Sequence, residues 1–218
     1  MKGAAINVQS EADKDQWLVN GTTDAESVAS YYDDWASRYD DELRAWNYQS
    51  PTEAARLLGD YAPQYARVLD AGCGTGLSGT ALVAEGFRNI VGVDISSESL
   101  RIAERRGVYA DLLQANLQEL PIPFSDNAFD ALTCVGVLTY VSDTRATLLE
   151  FCRLVRPGGH IVLTCRDDFY VSRDYAGEIK ALSEAQQWRL LYESPPSDYL
   201  PGNEAFDARV IYLSFEVC

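Results

Sequence analysis

Basic residues, histidine and long apolar runs are all scarce in this chain of 218 residues. Its three lysines are Lys2, Lys14 and Lys180, and 18 Lys and Arg face 33 Asp and Glu, for a formal charge of −15. A field of that sign slows approach to phosphate backbones and anionic lipid, and no basic stripe exists to track a nucleic acid. Neither nucleic acid nor a membrane is an expected partner. His160 is the only histidine, and His, Cys, Asp and Glu do not recur at ligand spacing, so no metal site is expected. The five cysteines, Cys73, Cys134, Cys152, Cys165 and Cys218, are odd in number and include no C-x-x-C pair. That pattern speaks against a zinc site or a disulfide framework and for a reducing, cytoplasmic setting. Residues 1–20 carry Glu11, Asp13 and Asp15 and no apolar run, so neither a signal peptide nor a membrane span is expected.

What is present reads as one α/β domain behind a short flexible start: residues 1–22 flexible, residues 23–218 a single domain. Thr23 and Glu26 form a capping-box pattern ahead of a helix whose apolar face is Val28, Tyr32, Trp35 and Tyr39. Ser50-Pro51-Thr52-Glu53 predicts the N-terminus of a second helix, with Ala54, Leu57, Leu58 and Tyr61 as its buried stripe. From Arg67 onward short apolar runs alternate with helical patterns, which predicts a doubly wound, mostly parallel sheet. Strands are expected near 67–71, 90–94, 109–113, 130–135 and 160–165, and helices near 76–85, 97–106, 143–156 and 174–187. Two further strands, 188–192 and 209–217, flank a Pro-rich loop.

The chemistry concentrates in Val68-Leu69-Asp70-Ala71-Gly72-Cys73-Gly74-Thr75-Gly76, with Val91-Gly92-Val93-Asp94 about twenty residues on. Gly74-Thr75-Gly76-Leu77-Ser78-Gly79 also satisfies the dinucleotide fingerprint G-x-G-x-x-G. Two cofactors therefore compete for one turn. A dinucleotide sets its pyrophosphate on the helix N-terminus, where Asp70 would oppose it. S-adenosylmethionine (SAM) carries a sulfonium and an ammonium and no phosphate, so the same carboxylate would attract it.

At these residues the chain resembles the class I SAM-dependent methyltransferases. Phe129-Asp130-Ala131-Leu132 and Leu154-Val155-Arg156-Pro157-Gly158-Gly159 follow in the order that class requires. Tyr32-Asp33-Asp34-Trp35, Tyr39-Asp40, Val135-Gly136-Val137-Leu138 and Asp198-Tyr199-Leu200-Pro201-Gly202 look like the Williams-Beuren syndrome critical-region methyltransferase family and its bacterial relatives. The resemblance implies a Rossmann-like seven-stranded sheet with one antiparallel strand near the C-terminus. It also implies three parts: lid helices over 23–62, a SAM-binding core over 67–165, and a substrate helix with a C-terminal hairpin over 166–218.

Cofactor contacts are expected from Asp70, Gly72, Cys73, Gly74 and Gly76 at the turn, and from Asp94, suited to ribose hydroxyls, with Ile95 after it. Asn116 stands where the resembling family has an acid for the adenine amino group, with Leu117 beside it, and Val135 floors the methionine portion. Tyr32, Trp35 and Tyr39 are core residues by spacing alone, but the lid implied by the resemblance would bring them, and Tyr31, over the cofactor. Tyr140 is placed either to reach the methyl group or to pack in the core. Arg166, Asp167 and Asp168 end the fifth strand, where they serve catalysis, bind acceptor or are solvated loop charges; Tyr170 and Tyr199 are expected at the acceptor. His160 opens that strand, at the wrong end of the sheet for catalysis.

The expected activity is methyl transfer from SAM to a small neutral or cationic acceptor, with a small organic acid also allowed because Arg166 can hold a carboxylate bidentately, by a monomer or homodimer. Its rivals are an NAD-dependent oxidoreductase and a catalytically silent SAM-binding partner protein. The first lacks a Tyr-x-x-x-Lys pair, since Lys180 is the one lysine beyond the N-terminal region.

Overall fold

The computed structural model describes residues 21–218, so the flexible start expected over 1–22 lies almost wholly outside the described residues. Helix α1 (Ala25–Ala45) and α2 (Ser50–Gly59) precede the alternating core of β1 (Arg67–Ala71), α3 (Leu77–Ala84), β2 (Asn89–Asp94), α4 (Ser97–Arg106), β3 (Asp111–Gln114), β4 (Phe129–Cys134), α5 (Thr144–Leu154) and β5 (Val155–Arg166). Helices α6 (Asp167–Ser172) and α7 (Tyr175–Glu184) then lead to β6 (Trp188–Glu193), β7 (Ser197–Asp198) and β8 (Arg209–Val217).

The sheet runs β3-β2-β1-β4-β5-β8-β6, with β7 paired to β8. Strands β3, β2, β1, β4 and β5 pair in parallel, and β8 lies antiparallel to its neighbours β5 and β6. The expected mixed Rossmann-like sheet is therefore present, with eight strands rather than seven among the described residues. The extra one is the two-residue β7, too short to leave a pattern in sequence.

Successive residues of a strand point to opposite faces, and the core divides accordingly. Val68, Ile90, Ala131 and Val162 face Leu57, Leu58 and Leu82 of α2 and α3. Leu69, Val91, Leu132 and Ile161 face Phe151, Ile179 and Leu182 of α5 and α7. Trp188 closes the far edge of that second layer, stacked on Phe215 at 3.9 Å between ring centroids. Truncating a buried side chain such as Leu58 or Phe151 costs about 2–5 kcal/mol.

Several boundaries move. The α1 cap is Asp24, whose carboxylate accepts from the Ser27 N–H at 2.9 Å, not Thr23; a carboxylate gains from the helix dipole as a hydroxyl does not. Ser50 lies inside α2, where its hydroxyl accepts from Tyr212 at 3.2 Å rather than capping. Tyr61 leaves the α2 stripe for the surface. Helix α5 stops at Leu154 and β5 begins at Val155, with Pro157-Gly158-Gly159 absorbed by a register shift against β4. Helix α6 has no buried residue and hence no apolar stripe to read.

Candidate functional site

Ala71, Asp94, Cys134 and Arg166 end four parallel strands on one side of the sheet. The loops beyond them enclose a cavity of about 710 Å³ including its mouth, lined by Gly72, Gly74, Asp94, Ile95, Asn116, Leu117 and Val135 among others. Small-molecule sites span roughly 300–1,000 Å³.

The β1–α3 turn gives this cavity one wall. A Cβ on Gly74 would meet nothing within 4 Å, so its backbone faces open space. Its N–H donates to Asp94 Oδ2 at 2.7 Å, while Asp94 Oδ1 accepts from the Ser96 N–H at 2.9 Å. Burial pushes the Asp94 carboxyl up, and these backbone donors oppose the rise. A carboxylate offers about four acceptor sites, so beyond the Ser96, Gly74 and Ile95 backbone donors Asp94 keeps capacity for a ligand hydroxyl.

Three residues of the turn take other parts than expected. Asp70 is fully buried and lines no wall of the cavity; it accepts from Ser78 Oγ (2.9 Å), Tyr109 Oη (2.7 Å) and Thr133 Oγ1 (3.2 Å). Burial raises its pKa to about 6 against those three donors. Gly76, at φ 92°, turns toward Arg106, whose Cδ a Cβ there would strike at 2.9 Å. Cys73 points its buried thiol toward β2.

Helix α1 covers the mouth with Ala25, Val28, Tyr32 and Tyr39, while α2, expected as a second lid helix, packs beneath the sheet against α3. Two acids one heptad apart fasten α1. Asp33 Oδ1 accepts from Ser96 Oγ (2.7 Å) and the Glu98 N–H (3.1 Å) at the start of α4. Asp40 accepts from Thr75 Oγ1 at 2.6 Å and pairs with Arg106, which also donates to the Thr75 carbonyl.

A second chamber of about 400 Å³ adjoins the first and shares Tyr32, Tyr39, Gly136 and Tyr140 with it. Trp35, Tyr48, Tyr199, Leu200, Phe206 and Arg166 complete much of its wall. Trp35, expected at the cofactor, belongs to this chamber, and its indole N–H donates to Glu42 at 2.6 Å. A Cβ on Gly136 would come within 3.0 Å of the Tyr48 and Tyr199 hydroxyls, so both phenols converge there. Burial pushes the Tyr32, Tyr39, Tyr48, Tyr140 and Tyr199 phenols up, which keeps them neutral. Arg166 donates to Asp168 through Nε (3.1 Å) and Nη2 (2.6 Å) and lies over the Phe169 and Phe206 rings.

Asp167 and Tyr170 line neither chamber. The Asp167 carboxylate accepts from the Asp168 and Arg209 N–H groups, and Tyr170 donates to Glu193 at 3.2 Å; the turn of α6 rotates both away. Asn116 reaches the first cavity, its Oδ1 accepting from the Gln118 N–H at 3.0 Å. His160 sits six residues before Arg166, beside the Tyr61 ring, and lines neither chamber. Sequence reasoning missed Tyr48, which lies between helices, and Gln118, which joins Thr23 to Ser142 across the mouth.

A family model described as a methyltransferase domain matches residues 69–163. Methyltransferase-like protein 27 of Homo sapiens is 30% identical over 182 residues, covering 81% of this chain and 74% of that protein. The chain belongs to the class I SAM-dependent methyltransferases. A demethylmenaquinone methyltransferase of Renibacterium salmoninarum is 32% identical over 140 residues, 63% of this chain and 58% of that one. The solved structure of a TehB-like SAM-dependent methyltransferase from Corynebacterium glutamicum superposes with a TM-score of 0.66 at 21% identity, over 87% of this chain and 99% of that one.

This methyltransferase uses SAM as methyl donor, and both the oxidoreductase and the silent-binder readings give way. The donor fits what the first cavity offers: an open glycine backbone at Gly74, a carboxylate with spare acceptor capacity at Asp94, and apolar walls at Ile95, Leu117 and Val135. Among the described residues no three His, Cys, Asp or Glu side chains come together as metal ligands, and no helix is long and apolar enough to cross a membrane.

Proposed function

We propose that the larger cavity holds SAM, that the second chamber holds a small-molecule acceptor, and that the methyl group passes between them beside Gly136. One observation carries this reading: Tyr32, Tyr39, Gly136 and Tyr140 line both chambers, so the two are immediate neighbours. Asp94 takes the ribose hydroxyls, Asn116 and Leu117 the adenine, and Gly72 and Gly74 the methionine portion. An in-line displacement needs the nucleophile aligned with the methyl group in a site closed to water, and α1 with the aromatic chamber walls supplies that closure. The name of the demethylmenaquinone methyltransferase relative agrees with a small acceptor.

The test is to incubate the protein with methyl-labelled SAM and a cytosolic extract and to follow label into small-molecule, protein, RNA and DNA fractions. Label is expected in the small-molecule fraction. Label chiefly in a macromolecular fraction overturns the reading.

A further inference from the structure

Among the described residues, the second chamber is lined by one cation and by no carboxylate or imidazole. Arg166 is the one charged side chain lining it, among the described residues; the rest of the wall is aromatic, aliphatic or hydroxyl-bearing. Asp168, the carboxylate that Arg166 meets among the described residues, is the more open to water: the Arg166 side chain is 6% exposed while that of Asp168 is 51% exposed, so water screens the carboxylate far more than the guanidinium. The cation's influence reaches the chamber phenols, pulling Tyr140 and Tyr199 down against the larger upward push of burial. The carboxylates next to its walls are already bonded, Glu42 to the Trp35 indole and Asp168 to Arg166, and Asp94 lies in the other cavity, bonded to Gly74 and Ser96. The five chamber tyrosines are neutral phenols, able to donate a hydrogen bond but not to take a proton from an acceptor.

We infer that the acceptor enters this chamber as an anion, a flat molecule bearing an acidic phenol, enol or thiol ionised before binding, with Arg166 and the tyrosine hydroxyls around its charge. The inference rests on the reading of the second chamber as the acceptor site and names the class of acceptor. It departs from the neutral or cationic acceptor that the chain's overall charge favours and takes up the acid that Arg166 left open, because the local field is set by what lines the chamber. The chemistry balances without a protein base. A lone pair of the anionic oxygen or sulfur forms a bond to the methyl carbon as the carbon–sulfur bond breaks, and that bond's electron pair stays on sulfur. Anion and sulfonium become a neutral methyl ether or thioether and a neutral sulfide, and no proton moves. Cancelling two charges is favoured in a site from which water is excluded.

Three probes of one ring size decide it, each titrated into the protein saturated with S-adenosylhomocysteine at a pH where half of free para-nitrophenol is ionised. They are para-nitrophenol, para-nitrotoluene, which cannot ionise, and the cation phenyltrimethylammonium, which aromatic walls can also hold. Para-nitrophenol is expected to bind at least about tenfold tighter than either, the order expected of one charge-assisted contact, and to show the yellow anion's absorbance when bound. Arg166→Gln should bring the three within about twofold of one another; should that variant not fold, the wild-type comparison and the bound spectrum still decide. Equal binding of the three, a bound probe with the neutral spectrum, or tightest binding of the cation overturns the anionic acceptor and leaves the chamber as the acceptor site. If none of the probes binds while S-adenosylhomocysteine does, both readings fall.

Discussion

The Thr75 hydroxyl donates to Asp40 at 2.6 Å, joining the glycine turn to the helix that covers it. Thr75 is buried and Asp40 also meets Arg106, so Thr75→Val removes one bond and leaves the ion pair. Affinity for S-adenosylhomocysteine is expected to fall about fivefold, near 1 kcal/mol, with faster proteolytic cleavage within residues 25–45. Calorimetry and limited digestion check this; unchanged values would show that α1 is held without the turn.

Asp94 serves both the turn and, in the proposed pose, the ribose. Asp94→Ala should weaken S-adenosylhomocysteine binding by about 2–4 kcal/mol, since bonds to a charged acceptor are worth roughly 1.5–3 kcal/mol each. A loss within twofold would leave Asp94 as a brace for Gly74 and Ser96 alone.

Asp70 makes stability depend on pH in an unusual direction. Its folded pKa is about 6 against roughly 3.9 for an unfolded Asp, so between those values the folded chain keeps a proton that the unfolded chain has released. The contribution is fully present below about pH 4 and is lost as pH rises through about 6, on the order of 3 kcal/mol in all. Urea unfolding of wild type and Asp70→Asn isolates it from the other carboxylates: the stability difference, wild type minus variant, should fall across that window. A pH-independent difference rejects the assignment.

His160 lies near the middle of β5 (Val155–Arg166) and does not open the strand as expected, but it is still six residues, about 20 Å at 3.3 Å per residue, from Arg166. His160→Ala should retain methyl transfer within about threefold of wild type, less than the roughly hundredfold or more that general acid–base catalysis typically contributes. Loss of turnover in a folded variant that still binds S-adenosylhomocysteine would contradict this placement.

The parallel core was legible because its strands are short apolar runs separated by capped helices, as in Arg67–Ala71 and Ser97–Arg106, where the structure follows the sequence to the residue. Gly72, Gly74 and Asp94, which line the larger cavity, belong to a motif whose spacing a strand–turn–helix requires. The depth of Asp70 was not legible, because sequence gives its distance from the turn but not its surroundings: three hydroxyls from Ser78, Tyr109 and Thr133 enclose it. Tyr109 also fills the space beside Gly79, where a Cβ would lie 2.3 Å from its ring, so that glycine answers to packing as much as to any ligand. The second chamber was only partly visible. Its wall joins Tyr48 to Tyr199 across 151 positions, in T-shaped contact at 5.4 Å, and no local pattern records such a meeting.

The Gly202 N–H donates to the Trp46 carbonyl at 2.9 Å, stitching the loop that carries Tyr199, Leu200 and Phe206 to the end of α1, which carries Leu43 with Tyr48 just beyond. Neither stretch belongs to the five parallel strands that set the glycine turn and Asp94. The two stretches supply Leu43, Tyr48, Tyr199, Leu200 and Phe206 to the chamber, while Tyr32, Tyr39, Gly136 and Tyr140 belong to both cavities. Exchanging residues 43–48 or 197–208 alone for another chain's is expected to break the stitch, and exchanging them as a matched pair to keep it. Retargeting such a protein is a problem of two coordinated edits.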